Sequence, residues 1–456
     1  MAARIRNMTE GKPLPLILSF ALPLMIGNIF QQLYTVVDTM VVGKALGVGA
    51  LAALGASDWL NWLVMGLVQG MAQGFAILMA QEFGAKRYAM LRRVVGCSGI
   101  LAIVSSIVVL AAAQGIARPV LLLLGTPDAI LGDALLYLRV MFFGIPIVMA
   151  YNLFACILRS LGDGKTPLYA MVVAAIVNIL LDLLFVLVFH WGIAGAAAAT
   201  LVAQLVSSLF CLWYLMKLDI LKLHRGDFRV EPAMARQLLL LGAPMAFQNA
   251  IICVGGMIVQ FVVNGFGVLF IAGFTATNKL YGILEVAATS YGYAMITYVG
   301  QNLGAARLDR IRSGMRAALF IGFLTSLVIM AFMLLFGRGI LSLFISGTPE
   351  EAAETLAIAF RYLAIMSVCL PILYVLHIVR SAIQGLGNTV LPMLSGVAEF
   401  VMRAAAAILL SALFGETGIF FAEVLAWAGA DAVLIPGYLH TMRVFARRGV
   451  SLPEEA

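Results

Sequence analysis

Long apolar runs, separated by short polar connectors, repeat along the whole chain. A bilayer core of about 30 Å demands roughly 20 consecutive apolar residues in a helix. Twelve runs approach or exceed that length, at approximately 14–41, 52–79, 94–116, 134–158, 167–189, 193–216, 237–264, 270–298, 315–336, 356–382, 391–413 and 418–441. The pattern predicts an all-α integral membrane protein with twelve transmembrane helices. Composition agrees: 63% of the 456 residues are hydrophobic and 11% are charged, whereas water-facing helices carry a polar face. The first run is too long for a signal-peptide core and reads as a retained span.

Charge sets the expected orientation, since cytoplasmic loops carry an excess of Lys and Arg. One set of connectors holds Lys86, Arg87, Arg92, Arg93, Arg159, Lys165, Lys217, Lys222, Arg225, Arg229, Arg236, Arg307, Arg310, Arg312, Arg316 and Arg380. Arg4, Arg6 and Lys12 join them at the front, and Arg443, Arg447 and Arg448 at the back. The opposite side has Lys44, Arg118 and Arg338. Both termini are therefore expected in the cytoplasm, with the chain multi-pass in the cell (inner) membrane. Anionic lipid accounts for the basic loops without a nucleic-acid partner.

The chain also repeats itself. Phe20-Ala-Leu-Pro23 recurs as Leu241-Gly-Ala-Pro244, and Gln81-Glu-Phe-Gly-Ala-Lys-Arg87 as Gln301-Asn-Leu-Gly-Ala-Ala-Arg307. Tyr137-Leu138 and Pro146 recur as Tyr362-Leu363 and Pro371, and Leu161-Gly-Asp-Gly-Lys-Thr-Pro167 as Leu386-Gly-Asn-Thr-Val-Leu-Pro392. Each repeat has an even number of spans, so both enter the membrane in the same direction. The expected organisation is two pseudo-symmetric six-helix bundles, parallel repeats about an axis along the membrane normal, with a substrate path at their interface. The expected parts are an N-terminal lobe (1–216), a cytoplasmic basic linker (217–236) and a C-terminal lobe (237–456).

Charges inside the runs carry the candidate chemistry. Asp38 is the first charge after the long apolar segment that begins near Leu14. An acid at the centre of a membrane helix costs about 2.5–3.5 kcal/mol on insertion scales, so it faces a protein interior or a wet cavity. Gln31, Tyr34, Thr35 and Asp38 fall on one helix face at steps of three and four. Asn178 and Asp182 share a face of the fifth span. Asp182 lies nine residues before Trp191 and Thr200 nine after it, which places them at equal depth in an antiparallel hairpin, about 13 Å below the turn. Asp38, six residues before Lys44, lies about 9 Å down. Three helices can thus gather two carboxylates, an amide and a hydroxyl. These are oxygen donors, as a hard cation prefers; two adjacent carboxylates also suit uptake of a proton. A hydrogen-bonded polar knot without a ligand is the alternative.

The second half does not copy this site: Asp38 maps onto Val259, Asn178 onto Arg403 and Asp182 onto Ala407. It has instead Glu399 four residues before Arg403, the favourable order for a helical ion pair. That pair is either structural or a switch between conformations. Lys279, Glu285, His377, Glu423 and Asp431 also lie within spans. Cys97, Cys156, Cys211, Cys253 and Cys369 are scattered singly and read as small buried hydrophobes.

Phe20-Ala-Leu-Pro23, Val36-Val-Asp38, Gln81–Arg87, Leu158-Arg-Ser-Leu-Gly-Asp-Gly-Lys-Thr-Pro167, Asn178-Ile-Leu-Leu-Asp182 and Gly195-Ala-Ala-Ala-Ala-Thr200 together resemble the multidrug and toxic compound extrusion (MATE) family, most closely its DNA-damage-inducible F-like bacterial branch. The resemblance covers nearly the whole chain. It implies twelve helices in two lobes and alternating access. It also implies export of amphipathic, often cationic compounds against inward Na+ or H+. In that family the residues matching Asp38, Asn178 and Asp182 take part in cation coupling, and the hydroxyl matching Thr200 helps bind Na+. A coupling acid of another branch lies in the second lobe, where Glu285 is a candidate although the motif match is poor.

The leading expectation is a secondary active antiporter for small amphipathic compounds, working as a monomer among membrane lipids. It would use Na+ or H+ as coupling ion and no cofactor. Gln31, Tyr34, Thr35, Glu285, Glu399 and Arg403 are candidate cavity or switch residues beside the coupling set Asp38, Asn178, Asp182 and Thr200. The alternative is a flippase of a lipid-linked oligosaccharide or other amphipathic lipid from the same superfamily. An enzyme is not expected, because no His/Glu metal pair, Gly-x-Ser-x-Gly elbow or Cys–His arrangement falls on the spans.

Overall fold

The computed structural model describes residues 5–345 and 348–448, except the side chains of residues 48 and 448. Arg4 lies outside the described residues, and Arg448 is described by its backbone alone. The described residues form helices joined by turns and short connectors, without strands. In the first half, α1 is Pro13–Leu46, α2 Val48–Gly84 and α3 Tyr88–Leu123. Helix α4 is a bent pair, Asp128–Phe143 and Ile145–Ser160; α5 is Lys165–Asp182, prolonged by a π-helical turn Leu183–Val188; α6 is Gly192–Leu215. In the second half, α7 is Pro232–Val263, α8 Val268–Gly304 and α9 Leu308–Ser342. Helix α10 is the bent pair Pro349–Val368 and Leu370–Gly385; α11 is Val390–Ala405, prolonged by the π turn Ala406–Leu410; α12 is Ala422–Arg448.

Nine of these helices are long and apolar enough to span a membrane alone, and counting each bent pair as one span brings the number to eleven. The twelfth is α8, 37 residues long, whose polar run Thr275-Ala-Thr-Asn-Lys279 dilutes its hydropathy. The protein is a multi-pass, all-helical membrane protein of twelve spans. Large apolar side chains cover the outer faces, such as Ile103, Ile107 and Val108 on α3 and Phe320 and Val328 on α9.

The repeat is written into the backbone. The bent pairs turn by 48° at Gly144 and by 50° at Cys369, and each second helix opens on a proline at its first turn, Pro146 and Pro371, where the missing N–H costs nothing. Both π turns follow at matching places. Each removes the regular i→i−4 register for one turn, a feature that concentrates at functional sites. Lys86 and Ala306, at the same place in the two Gln81 and Gln301 motifs, both adopt left-handed backbone, with φ 58° and 55°. There Arg87 N–H bonds Glu82 O and Arg307 N–H bonds Asn302 O, the helix-ending pattern in which a carbonyl of the last turn takes a donor from beyond the helix. Asp163 Oδ1 caps α5 through Lys165 N (2.9 Å) and Thr166 N (3.0 Å). Its counterpart Asn388 accepts from Leu391 N at 3.1 Å.

The chain divides into two compact units. The first comprises Leu22–Ala250 with the N-terminal residues through Met8, and the second comprises Thr9–Ala21 with the chain from Ile251 onward. In the first unit α2 packs against the opening turns of α7 through small residues. A Cβ on Gly70 would stand 2.6 Å from Ala246 Cα, and Asn249 Nδ2 donates to Gly66 O at 3.0 Å. Small residues allow such close backbone approach, which carries helix association in lipid. Gly70→Leu should therefore force the two helices apart. An overpacked core costs typically ~1–3 kcal/mol, so a lower unfolding temperature in detergent is the expected result; an unchanged one would show that the contact is slack.

The connector between α6 and α7 contains two short 3-10 turns, Asp219–Leu221 and Arg225–Phe228. The second packs on α3, where Gly96 leaves room for the carbonyl of Asp227. One basic residue expected in a connector is buried instead. Arg380 lies inside the second helix of α10 with its side chain 8% exposed, because Glu399 on α11 supplies the counter-charge.

Candidate functional site

In the first unit α1, α5 and α6 gather the predicted oxygen donors. Asp182 is fully buried, Asn178 is nearly so, and Asp38 and Thr200 are partly open. Asn178 Nδ2 approaches Thr200 Oγ1 at 3.4 Å, which turns the amide oxygen away from Thr200. The carboxyls of Asp38 and Asp182 lie within electrostatic and hydrogen-bonding reach of one another. Asp38 Oδ1, Asn178 Oδ1 and both carboxyl oxygens of Asp182 are buried without a hydrogen-bond partner among the described residues. A buried carboxylate normally receives several donors. Here acceptors face acceptors, an arrangement that an oxygen-seeking cation or a proton satisfies.

Asp182 is the last α-helical residue before the π turn Leu183–Val188. The local change of winding re-aims the side chains that follow, so the acid sits where the helix changes register. A small, partly open cavity lies alongside, lined by Gln31, Tyr34, Tyr151, Met171, Ala174, Asn178, Thr200, Ala203, Gln204 and Ser207. Gln31 and Tyr34 of the predicted stripe thus face the same space as Asn178 and Thr200. Thr35 is turned to its own helix, donating to Gln31 O at 3.0 Å, and is exposed.

Three polar groups here were not singled out from the sequence. Asp58 on α2 is within electrostatic reach of Asp38. Tyr137 on α4 is buried and senses Asp38, Asp58, Tyr34 and Asp182. Gln204 on α6 reaches Tyr34. Asp58 was legible: the turn at Gly47 lies nine residues after Asp38 and eleven before Asp58, so equal-depth reasoning on the α1–α2 hairpin brings the two acids level. Tyr137 and Gln204 carried no comparable signal, since neither is charged.

In the second unit the predicted pair is part of a larger network. Arg403 Nη2 meets Glu399 Oε1 at 2.9 Å and Glu423 Oε2 at 2.8 Å. Arg380 Nη2 meets Glu399 Oε2 at 2.6 Å. Arg403 Nη1 donates to Ile252 O at 3.2 Å, and Gly255 leaves the guanidinium its space. Glu285 on α8 meets His377 Nε2 on α10 at 3.3 Å. Glu399 is therefore a hub that holds α10 and α11 together, and Arg403 joins α11 to α12. These residues lie in the second unit and the oxygen donors of the predicted site in the first.

Comparison with known proteins gives a consistent picture. The MatE family matches residues 23–184 and 244–409, one match in each half. The chain is 30% identical to the "Probable multidrug resistance protein YoeA" of Bacillus subtilis (strain 168) over 354 residues, 76% of this chain and 75% of that one. It is 29% identical to "Probable multidrug resistance protein YpnP" of the same organism, covering 91% and 92% of the two chains. Among solved structures it superposes on a MATE in complex with MaL6 with TM-score 0.91, at 22% identity over 98% of this chain and 100% of that one. It superposes on an outward-facing multidrug resistance MATE family transporter of the MOP superfamily with TM-score 0.89, at 22% identity over 98% and 99%.

Proposed function

This chain belongs to the MatE family, and on that premise we propose that it exports amphipathic, cationic organic compounds in exchange for inward Na+ or H+. Members of the family are transporters driven by ion gradients, so the chain is a transporter and not an enzyme. Relatives bear the name of multidrug resistance proteins, which supports drugs as the substrate class. The observation that carries the coupling assignment is the cluster of buried, unpartnered oxygens on Asp38, Asn178 and Asp182. An uncompensated buried carboxylate is costly, and a cation or proton that enters there relieves that cost. The side chains beside the cluster suit the rest of the cycle. Tyr34 and Tyr151 offer aromatic walls to a flat cation, and Gln31, Gln204 and Ser207 offer adaptable hydrogen bonds.

In this reading Asp38 and Asp182 hold the coupling ion, Asn178 and Thr200 complete its shell, and Tyr34 and Gln31 link the ion to the substrate. The two repeats act as lobes, 1–216 and 237–456, joined by the 217–236 linker on the cytoplasmic side. Both termini are cytoplasmic, and the protein works as a monomer in the inner membrane. Export of a fluorescent organic cation from proteoliposomes under separately imposed Na+ and pH gradients tests the proposal. Thr200→Val then separates the ions. It removes one oxygen donor at nearly constant volume, so a Na+ site should weaken about tenfold, the equivalent of ~1.4 kcal/mol, while proton-driven export should change little. Movement of a lipid-linked sugar, with no organic cation exported under either gradient, would replace the proposal with a flippase.

A further inference from the structure

The connector between α6 and α7 carries apolar residues that a basic, water-facing linker does not need. Leu218 and Leu221 are buried, and the turns Asp219–Leu221 and Arg225–Phe228 both pack on α3. Leu223, Phe228 and Val230 are instead 37%, 49% and 46% exposed. By contrast, the short connectors 85–87 and 305–307 hold only alanine and basic residues. Scattered apolar side chains are ordinary on a protein surface. Three of them close together, interleaved with His224, Arg225 and Arg229, call for something that covers them.

The acids of the linker are spent inside the protein. Asp219 Oδ1 meets Lys222 Nζ at 2.6 Å, and Asp227 Oδ2 accepts from His224 N at 2.7 Å. Glu231 pairs with Arg93 on α3 at 3.6 Å. Arg225 and Arg229 are exposed, and neither is matched by a linker acid, since all three are engaged elsewhere. Arg229 has extended backbone, with φ −92° and ψ 130°. Successive side chains alternate in such a stretch, so Phe228 and Val230 point to one side.

Helix α3 fixes the depth of this segment. Arg92 and Arg93 are its last charges before an apolar run that opens at Val94. Gly96 lies just inside that run, and a Cβ there would overlap the carbonyl of Asp227. The linker thus doubles back to the level where the apolar run begins. The end of α6 agrees: Lys217 Nζ lies 3.3 Å from the ring centre of Trp213, which is exposed. An aromatic ring and a cation mark the level at which a helix leaves the hydrocarbon.

We propose that residues 222–230 are an interfacial anchor. Leu223, Phe228 and Val230 enter the boundary between headgroups and acyl chains, while Arg225 and Arg229 bind the phosphates of anionic phospholipid. Apolar insertion and attraction to anionic lipid add to one another at a membrane surface. The linker then does more than join the repeats, because it ties the end of α3 to the lipid. The anchor rests on the reading that this connector lies on the cytoplasmic side.

Fluorescence quenching in nanodiscs, which leave both bilayer faces open, tests the proposal on the full-length protein. A cysteine-free variant with Phe228→Cys or Val230→Cys carries a nitrobenzoxadiazole label. Doxyl groups at a shallow acyl position should quench both labels, and aqueous iodide should barely do so. A label at Asp309→Cys, exposed at the start of α9, should show the reverse. Doxyl-phosphatidylglycerol should quench more strongly than doxyl-phosphatidylcholine at equal mole fraction, reflecting local enrichment of about fivefold for each arginine. Arg225→Gln/Arg229→Gln should level the two lipids.

Iodide quenching of the Phe228→Cys and Val230→Cys labels equal to that of Asp309→Cys overturns the anchor. So does protection from both quenchers, which would mean cover by protein. Equal quenching by the two lipids in the unaltered linker overturns the assignment of the arginines. If the cysteine-free variant does not fold, p-benzoylphenylalanine in place of Phe228, in otherwise unaltered protein, decides the question. It should crosslink to phospholipid on illumination, and crosslinks to protein alone overturn the anchor. Sidedness is read separately, from reaction of Asp309→Cys with an impermeant maleimide in inside-out vesicles but not in intact cells. Failure there, with shallow quenching intact, would reverse the topology and leave the membrane contact standing.

Discussion

Asp38→Asn should reduce ion-coupled export to the level of empty vesicles while the protein still folds and reaches the membrane. The substitution keeps the shape of the side chain and adds an N–H donor to a site made of acceptors. It removes the exchangeable negative charge that faces Asp182. Asn can donate to Asp182, so one of the unpartnered oxygens there gains a partner; a single net hydrogen bond contributes ~0.5–1.5 kcal/mol. Stability should thus hold or rise slightly as transport is lost. That combination marks a group kept for function, since a structural residue shows the opposite pattern. Asp182→Asn should behave in the same way. Efflux assays in proteoliposomes, paired with thermal unfolding in detergent, read both quantities. Export at near wild-type rate, with its ion dependence intact, would reduce Asp38 to a packing group.

Much of this was legible in the order of residues because a bilayer simplifies the code. Every backbone group in lipid must bond within its own helix, so apolar length alone located all twelve spans, α8 among them at 270–298. The internal motifs proved to be backbone devices: Lys86 and Ala306 share a left-handed conformation, and Asp163 and Asn388 perform the same cap. The oxygen donors of the first unit were found because hairpin geometry fixes depth, so Asp182 and Thr200 had to be level. What resisted reading was side-chain partnership between helices far apart in sequence. Arg380 looked like one more loop cation because it follows a run of apolar residues near a helix end. Only packing of α10 on α11 shows that its charge is spent on Glu399. Glu423 had no visible partner for the same reason: Arg403 is twenty residues away in the chain. The bends and π turns carried no hydropathy signal, since winding can change without altering composition.

Those hidden partnerships set the second large expected effect. From the sequence, Arg403→Met would leave Glu399 alone in the membrane. The structure moves the damage elsewhere, because Glu399 retains Arg380 at 2.6 Å and the carboxyl that loses its partner is Glu423, whose side chain is 16% exposed. Glu423 can relieve that loss by taking a proton. Glu399→Met is the harsher change. It leaves Arg380 without its carboxylate and Arg403 with Glu423 alone, and a guanidinium stays charged in any environment. Breaking a buried ion pair from one side costs about 3–5 kcal/mol, enough to unfold many proteins of marginal stability. Glu399→Met should accordingly fail to accumulate, or unfold at a markedly lower temperature than Arg403→Met. Replacing Arg380, Glu399 and Arg403 together by methionine should recover much of that loss, because no strong cation is then left buried. A melting series in detergent ranks the three proteins. If Arg403→Met proved the least stable, Arg403 rather than Glu399 would be the hub of the second unit.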